Sequence, residues 1–219
     1  ETVFLHTNGA SGDVSTRDTR RNQSFAEVQR MGHLLAGEVL KVMEAVTVRG
    51  EAELSGRIEP VVLPFRAYPT VQEADEEIKR LEAELERLRA SGAQHGEVRR
   101  AVTRVEGAMA QRLVAQGLKG QNHKAGEVQV LRIGDLALVG LPGEPFVKTV
   151  AEIKGHSPAP CTAIVSYANE EAGYFPDPAS VAQGTYEALV TPYGPEVSEQ
   201  LSTLALRLLN EVWNVPSGR

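Results

Sequence analysis

Gly12-Asp13-Val14-Ser15 and Leu141-Pro142-Gly143-Glu144-Pro145 are the two segments of this chain whose residue types and placement best suit chemistry. The first follows a short apolar run and the second a hairpin of apolar strands, so each sets a polar side chain where a strand stops and the backbone turns. α/β enzymes present reactive groups at such points, on an accessible tip carried by a rigid scaffold. Ser15, after a glycine-rich turn and Asp13, has the placement of a nucleophile or of a hydrogen-bond partner to a substrate carbonyl. Taken alone, Gly-Asp-x-Ser also serves as a purely structural turn. Glu144 stands in a segment otherwise apolar from Leu136 to Val150. Its carboxylate is either a helix-start cap or a metal ligand, and Asp, Ser or Thr are the more usual caps. Tyr174 and Tyr186 lie in a stretch with little helical or strand pattern. Tyrosines there pack as lids, bind a metal through oxygen, or donate to a developing oxyanion.

The elements that must hold these groups alternate. Val3 to Thr7 is a strand, followed by the small-residue turn Asn8-Gly9-Ala10-Ser11-Gly12. A helix opens at Ser24, paired with Glu27 as a capping box, and its stripe of Phe25, Val28, Met31, Leu35, Val39, Val42 and Val46 must pack on something. Ala52 to Phe65 is extended chain interrupted by Pro60 and Pro64. Thr70 and Glu73 form a second capping box, and Val71, Ala74, Ile78, Leu81, Leu85 and Leu88 follow as a narrow seam. Gly92 and Gly96 mark a break, and Val98, Val102, Val105, Met109 and Leu113 carry a second stripe. Val71 to Gln116 is therefore an antiparallel helical hairpin, an insertion over 70–117, whose exposed seam would favour a homo-oligomer. The acidic run Glu73 to Glu77 is read as a solvated first turn favourable to the helix dipole rather than as a docking surface.

After Gly120 the texture is that of strands. Val128 to Ile133 and Leu136 to Leu141 flank the two-residue loop Gly134-Asp135. Pro145 fits the first position of a short helix that Gly155 closes after Lys154. Thr162 to Tyr167 is a further strand, Ala168 to Pro195 a long loop, and Val197, Leu201, Leu204, Leu208 and Val212 stripe a last helix that ends before Pro216. Interleaved strands and helices predict an α/β fold, a mixed sheet layered with helices.

Composition bounds the function. The 219 residues are 42% hydrophobic with a net charge of −6. That balance argues against nucleic acid as a partner, which needs a clustered basic face. Cys161 is the sole cysteine and excludes an intrachain disulfide. No apolar run reaches the length of a transmembrane segment, and no signal peptide stands at Glu1. A chain already strand-like at Val3-Phe4-Leu5 is expected to be one part of an enzyme.

Taken in order, Gly12-Asp13-Val14-Ser15, Leu141-Pro142-Gly143-Glu144, Asn169 with Tyr174, Tyr186-Glu187 and Tyr193-Gly194-Pro195 resemble the catalytic domain of the neutral ceramidase family, zinc-dependent amidases that cleave the N-acyl bond of ceramide. The likeness runs over nearly the whole chain apart from the hairpin. It implies that residues 1–219 are the C-terminal half of a ceramidase-like catalytic domain, of a short bacterial type, secreted or periplasmic. It also implies that Glu144 and Tyr174 are zinc ligands, that Ser15 is the active-site serine, and that Asp13 belongs with Ser15 and Tyr186 to the catalytic set. Tyr186 is implied to hydrogen-bond the scissile carbonyl of a lipid amide substrate. Zinc would then lower the pKa of a bound water and polarise the amide, while Tyr186 stabilises the tetrahedral oxyanion.

The family completes its zinc site with two histidines from the N-terminal half of the domain. His6, His33, His95, His123 and His156 lack paired ligand spacing and match none of the family's histidine motifs, so the two missing ligands are expected from outside this chain. Thr16-Arg17 stands where the family has Pro-Asn, Glu171 where it has an aromatic, and nothing after Trp213 corresponds to the immunoglobulin-like tail of longer relatives. Two other readings stay open: a non-catalytic module that keeps the fold for binding or assembly, and a hydrolase of a different amide or ester.

Overall fold

The computed structural model describes residues 4–47 and 50–214. Its helices and strands form a mixed α/β fold around a four-stranded sheet. The strands are β1 (Leu54–Pro64), β2 (His123–Ile133), β3 (Leu136–Gly140) and β5 (Cys161–Val165), in the order β1-β2-β3-β5. β1 to β3 run antiparallel, and the β2–β3 turn is Gly134-Asp135, with Gly134 at φ 59°. Helix α4 (Val147–His156) carries the chain across to β5, which joins β3 in parallel. β1 lies at the edge, which is where a strand tolerates Pro60 and Pro64.

One face of the sheet is the core. Leu63, Val128, Val130, Ala137, Val139 and Ile164 meet α4 and the long α7 (Pro195–Asn214), whose Val197, Leu201, Ala205, Leu208, Leu209 and Val212 form its buried stripe. Each such valine, leucine or isoleucine side chain contributes about 1.5–3 kcal/mol by leaving water. Register puts Leu54, Ile58, Val62, Leu131 and Ile133 on the opposite face, where they are exposed.

The helical hairpin is α2 (Val71–Ala90) and α3 (His95–Leu118). Thr70 and Glu73 make the expected capping box, and Gln94 with Glu97 makes another for α3. Gly92, at φ 67°, turns the chain, whereas Gly96 lies inside α3. The seam is not exposed as expected. Leu81, Leu85, Ala101, Val105 and Ala108 are buried between the two helices, braced by Arg104–Glu84 at 2.7 Å and by Arg112–Asp75. Most of the seam is spent inside the hairpin, while Met109 and Leu113 of the second stripe stay exposed.

Further expectations are corrected. Residues 4–7 form no strand, and Val3 lies outside the described residues; Phe4 and Leu5 are exposed, and Asn8 O and Gly9 O accept from Ser166, the residue after β5. Helix α1 (Phe25–Ala45) forms and is capped by Ser24, but Phe25, Val28, Leu35 and Val42 remain exposed, and Glu27 is its one buried residue. Glu27 bonds Arg21 N and Arg30 instead of closing a box on Ser24. α4 begins at Val147 rather than Pro145 and continues through Gly155 to His156. The long loop contains β6 (Tyr174–Phe175), α5 (Pro178–Gln183) and α6 (Tyr186–Val190), and Tyr167 falls beyond the end of β5. α7 ends at Asn214, and Pro216 lies outside the described residues.

Candidate functional site

Beyond β3 the chain continues as Leu141-Pro142-Gly143 into a two-residue strand, β4 (Glu144–Pro145), which pairs in parallel with β6. The register sets Glu144 beside Tyr174 and Pro145 beside Phe175. Strand alternation sends Pro145 and Phe175 into the core, where the Phe175 ring lies 5.2 Å from that of Tyr193, so Glu144 and Tyr174 share the opposite, half-exposed side. A carboxylate and a phenol are thus held next to each other by backbone pairing.

The segment after β5 wraps this pair. Tyr167 N donates to Gly143 O, Ala168 N to Leu141 O, Ala172 N to Pro142 O, and Glu144 N to Gly173 O at 2.8 Å. Following that path requires left-handed backbone at Tyr167 (φ 57°), Asn169 (φ 65°) and Gly173 (φ 87°). For a side chain as bulky as Tyr167 this conformation is strained. It brings the Tyr167 hydroxyl within interaction reach of the Glu144 carboxylate. Ser11 Oγ is buried beside that hydroxyl without completing a hydrogen bond of its own. Lys124 anchors the far side of the segment through Glu171 O and the Glu170 carboxylate.

The Gly12-Asp13-Val14-Ser15 loop docks on the same strand. Gly12 N donates to Pro145 O at 3.1 Å, and a Cβ on Gly12 would meet Glu144 O at 2.6 Å and Phe146 Cδ1 at 2.5 Å, so only glycine fits. Asp13 Oδ1 accepts from Val147 N at 2.8 Å. Phe146, the residue at the N-cap of α4, offers no capping side chain, so the cap comes from Asp13, far off in sequence. That removes the capping role left open for Glu144. Replacing Asp13 by alanine is expected to cost about 1 kcal/mol in chemical denaturation through loss of this cap. Ser15 is exposed and caps a short turn, Thr16–Asp18, accepting from Arg17 N at 3.2 Å.

Tyr186 opens α6, with Thr185 as N-cap, and is 37% exposed. It and Glu187 lie within electrostatic reach of Tyr174, and Glu187 within reach of Glu144. Burial raises the Glu144 carboxyl above its ordinary value; the Tyr167 hydroxyl opposes the rise, and the charges of Glu171 and Glu187 add to it. Burial, then the charge of Glu144, pushes the Tyr174 phenol up to about 12. An oxygen-rich cluster without a cation penalises its own ionised forms, and a bound cation would relieve that penalty. Glu144 and Tyr174 therefore suit a metal ion by donor type. Among the described residues no three His, Cys, Asp or Glu side chains converge to hold one, and all five histidines are exposed.

Sequence reasoning missed Tyr167, whose contact depends on a left-handed backbone that no local signal announces. It also missed α6, which lies in the stretch read as a loop. Thr185 before Tyr186-Glu187 was a readable cap signal for that helix.

These features define an α/β fold whose strand ends gather a carboxylate, tyrosines and a serine loop. No protein-family model matches the sequence, and no curated protein matches it. Solved structures match in part, among them two ceramidases. The neutral ceramidase from Pseudomonas aeruginosa is 24% identical with a TM-score of 0.39, the match covering 43% of this chain and 16% of that one. A ceramidase complexed with C2 is 24% identical with a TM-score of 0.38, over the same shares. The neighbours are thus ceramidases, but at these values the likeness carries no argument about function, and the match spans under a fifth of the ceramidase chain.

Proposed function

We propose that this chain supplies one part of the active site of a zinc-dependent amidase of the neutral ceramidase type, acting on the N-acyl bond of a lipid amide. The observation that carries the reading is the β4–β6 pairing of Glu144 with Tyr174, with the Ser15 loop seated on the Glu144 backbone and Tyr186 beside Tyr174. These are the residues that the ordered motifs single out. Glu144 and Tyr174 would hold the zinc, with two histidines supplied by an N-terminal half of the same domain. Bound zinc supplies Lewis acidity towards the amide and a water of lowered pKa. Tyr167 keeps the Glu144 carboxylate oriented, Tyr186 donates to the oxygen on which charge develops, and Ser15 contacts the substrate from its exposed turn. The bare apolar face of the sheet and the bare stripe of α1 support a further layer of the same domain packing there.

In a protein carrying both halves, Tyr186→Phe is expected to lower kcat by about 10²–10³-fold with zinc content unchanged, the scale for losing one oxyanion donor. The measurement is hydrolysis of a short-chain fluorogenic N-acyl-sphingosine with and without chelator, beside metal analysis. Chelator-sensitive cleavage with one zinc per chain supports the amidase. Bound zinc without cleavage keeps the site and discards this substrate in favour of another amide or ester. Absence of zinc favours a non-catalytic binding or assembly module, which the same bare faces would serve.

A further inference from the structure

The helical hairpin does more than add bulk. Its core is its own, and the element of the sheet-bearing body that α3 packs against is α6, the five-residue helix that carries Tyr186. Gly107 and Gln111, one turn apart on the same face of α3, make that contact. A Cβ on the buried Gly107 would lie 3.8 Å from Tyr186 Cδ2, so the phenol ring rests over bare helix backbone. Gln111 Nε2 donates to Leu189 O at 2.7 Å. From the strand side, Arg66 donates to Ala188 O, Leu189 O and Thr191 O, and the Tyr68 hydroxyl to Val190 O. Thr191 Oγ1 then donates to Tyr174 O at 2.7 Å, tying the end of α6 to the strand that carries Tyr174. A helix of five residues has almost no stability of its own. Its place is set by these donors to its last carbonyls and by the surface beneath its first residue.

We propose that the hairpin is the positioning device for Tyr186. Gly107 provides the seat of the ring, and Gln111 the bond that fixes the helix behind it. Both act through Tyr186 and touch neither Glu144 nor Tyr174. The inference rests on the amidase reading, but part of its test does not.

With all five tyrosines replaced by 3-fluorotyrosine, Tyr186→Phe identifies the fluorine resonance of Tyr186 in the present chain. Gln111→Met, which keeps length and removes the donor, and Gly107→Leu, which fills the seat, are each expected to shift or broaden that resonance while those of Tyr174 and Tyr167 stay in place. Gln111→Lys, which restores a donor, is expected to return it. In the protein with both halves, Gln111→Met should lower kcat about tenfold with KM and zinc content held, since small misplacements of a catalytic group are costly. It should add nothing to the loss already caused by Tyr186→Phe. Gly107→Leu should lower kcat as well, since the side chain displaces the Tyr186 ring from its seat. An unmoved Tyr186 resonance, or a Gln111→Met loss that simply adds to that of Tyr186→Phe, overturns the positioning role. Full activity in Tyr186→Phe overturns the amidase role of Tyr186 itself, whatever the resonance does.

Discussion

Glutamine in place of Glu144 is expected to abolish zinc retention and to lower amidase activity by about a thousandfold or more, the scale of losing several kcal/mol of Lewis-acid stabilisation. The same change is expected to make the metal-free protein more stable at neutral pH, not less. Burial first, and then the charges of Glu171 and Glu187, raise the Glu144 carboxyl above its ordinary value in the folded state. Between the ordinary value and the raised one, the folded chain therefore binds more protons than the unfolded chain. By linkage, the contribution of Glu144 to stability declines as pH rises through that window and stays diminished above it. Glutamine has the shape of the protonated acid and carries no charge. Denaturation of metal-free parent and variant as a function of pH measures the effect: the two curves should run together in acid and separate, with the variant higher, above the window. A structural carboxylate would give the opposite order. Stoichiometric zinc and full activity in the variant would sink the assignment. Stability spent on an uncompensated charge is the usual cost of a site that waits for a cation.

The hairpin was legible because its signals are local and redundant. Thr70 with Glu73 fixes the start, the three-four spacing from Val71 to Leu88 fixes the face, and Gly92 supplies the left-handed turn. The candidate site was singled out for another reason: Glu144 follows an apolar hairpin at a strand end, where a carboxylate lacks a packing role. What could not be read depends on contacts across the chain. Pro145 suits a helix start and a strand edge equally, and the choice was decided by its pairing with Phe175. The cap of α4 comes from Asp13, on a segment no local rule connects to Val147. α5 and α6 are too short for periodicity, and the segment was read as loop; their caps, Asp177 before Pro178 and Thr185 after Gly184, were the local signals that could have found them. The stripe of α1 was read correctly as apolar, yet the surface that would cover it is absent from the described residues. Periodicity states that a face is to be buried and not against what.

Gly143→Ala separates the pairing of the two strands from the chemistry of their side chains. A Cβ on Gly143 would stand 2.5 Å from Gly173 O and 2.8 Å from Phe175 Cε2, and Gly173 O is the acceptor for Glu144 N. The nearest obstacle is backbone, so it cannot swing aside, and relief has to come from moving β6 away from β4. Tyr174 rides on β6 and Glu144 on β4, so the movement separates the two oxygens proposed to share the metal. The expected cost is about 1–3 kcal/mol from overpacking, with zinc affinity in the protein with both halves reduced at least tenfold, the lower end of the effect of disturbing the support of a metal ligand. Gly155→Ala is the matched control. It lies inside α4 with open space where its Cβ would go, and alanine there should stabilise by about 0.5–1 kcal/mol with no effect on zinc. Opposite signs in denaturation, together with a zinc effect confined to Gly143→Ala, would tie metal affinity to the spacing of these two strands. Wild-type zinc affinity in a folded Gly143→Ala protein would show that Glu144 and Tyr174 do not hold the metal together.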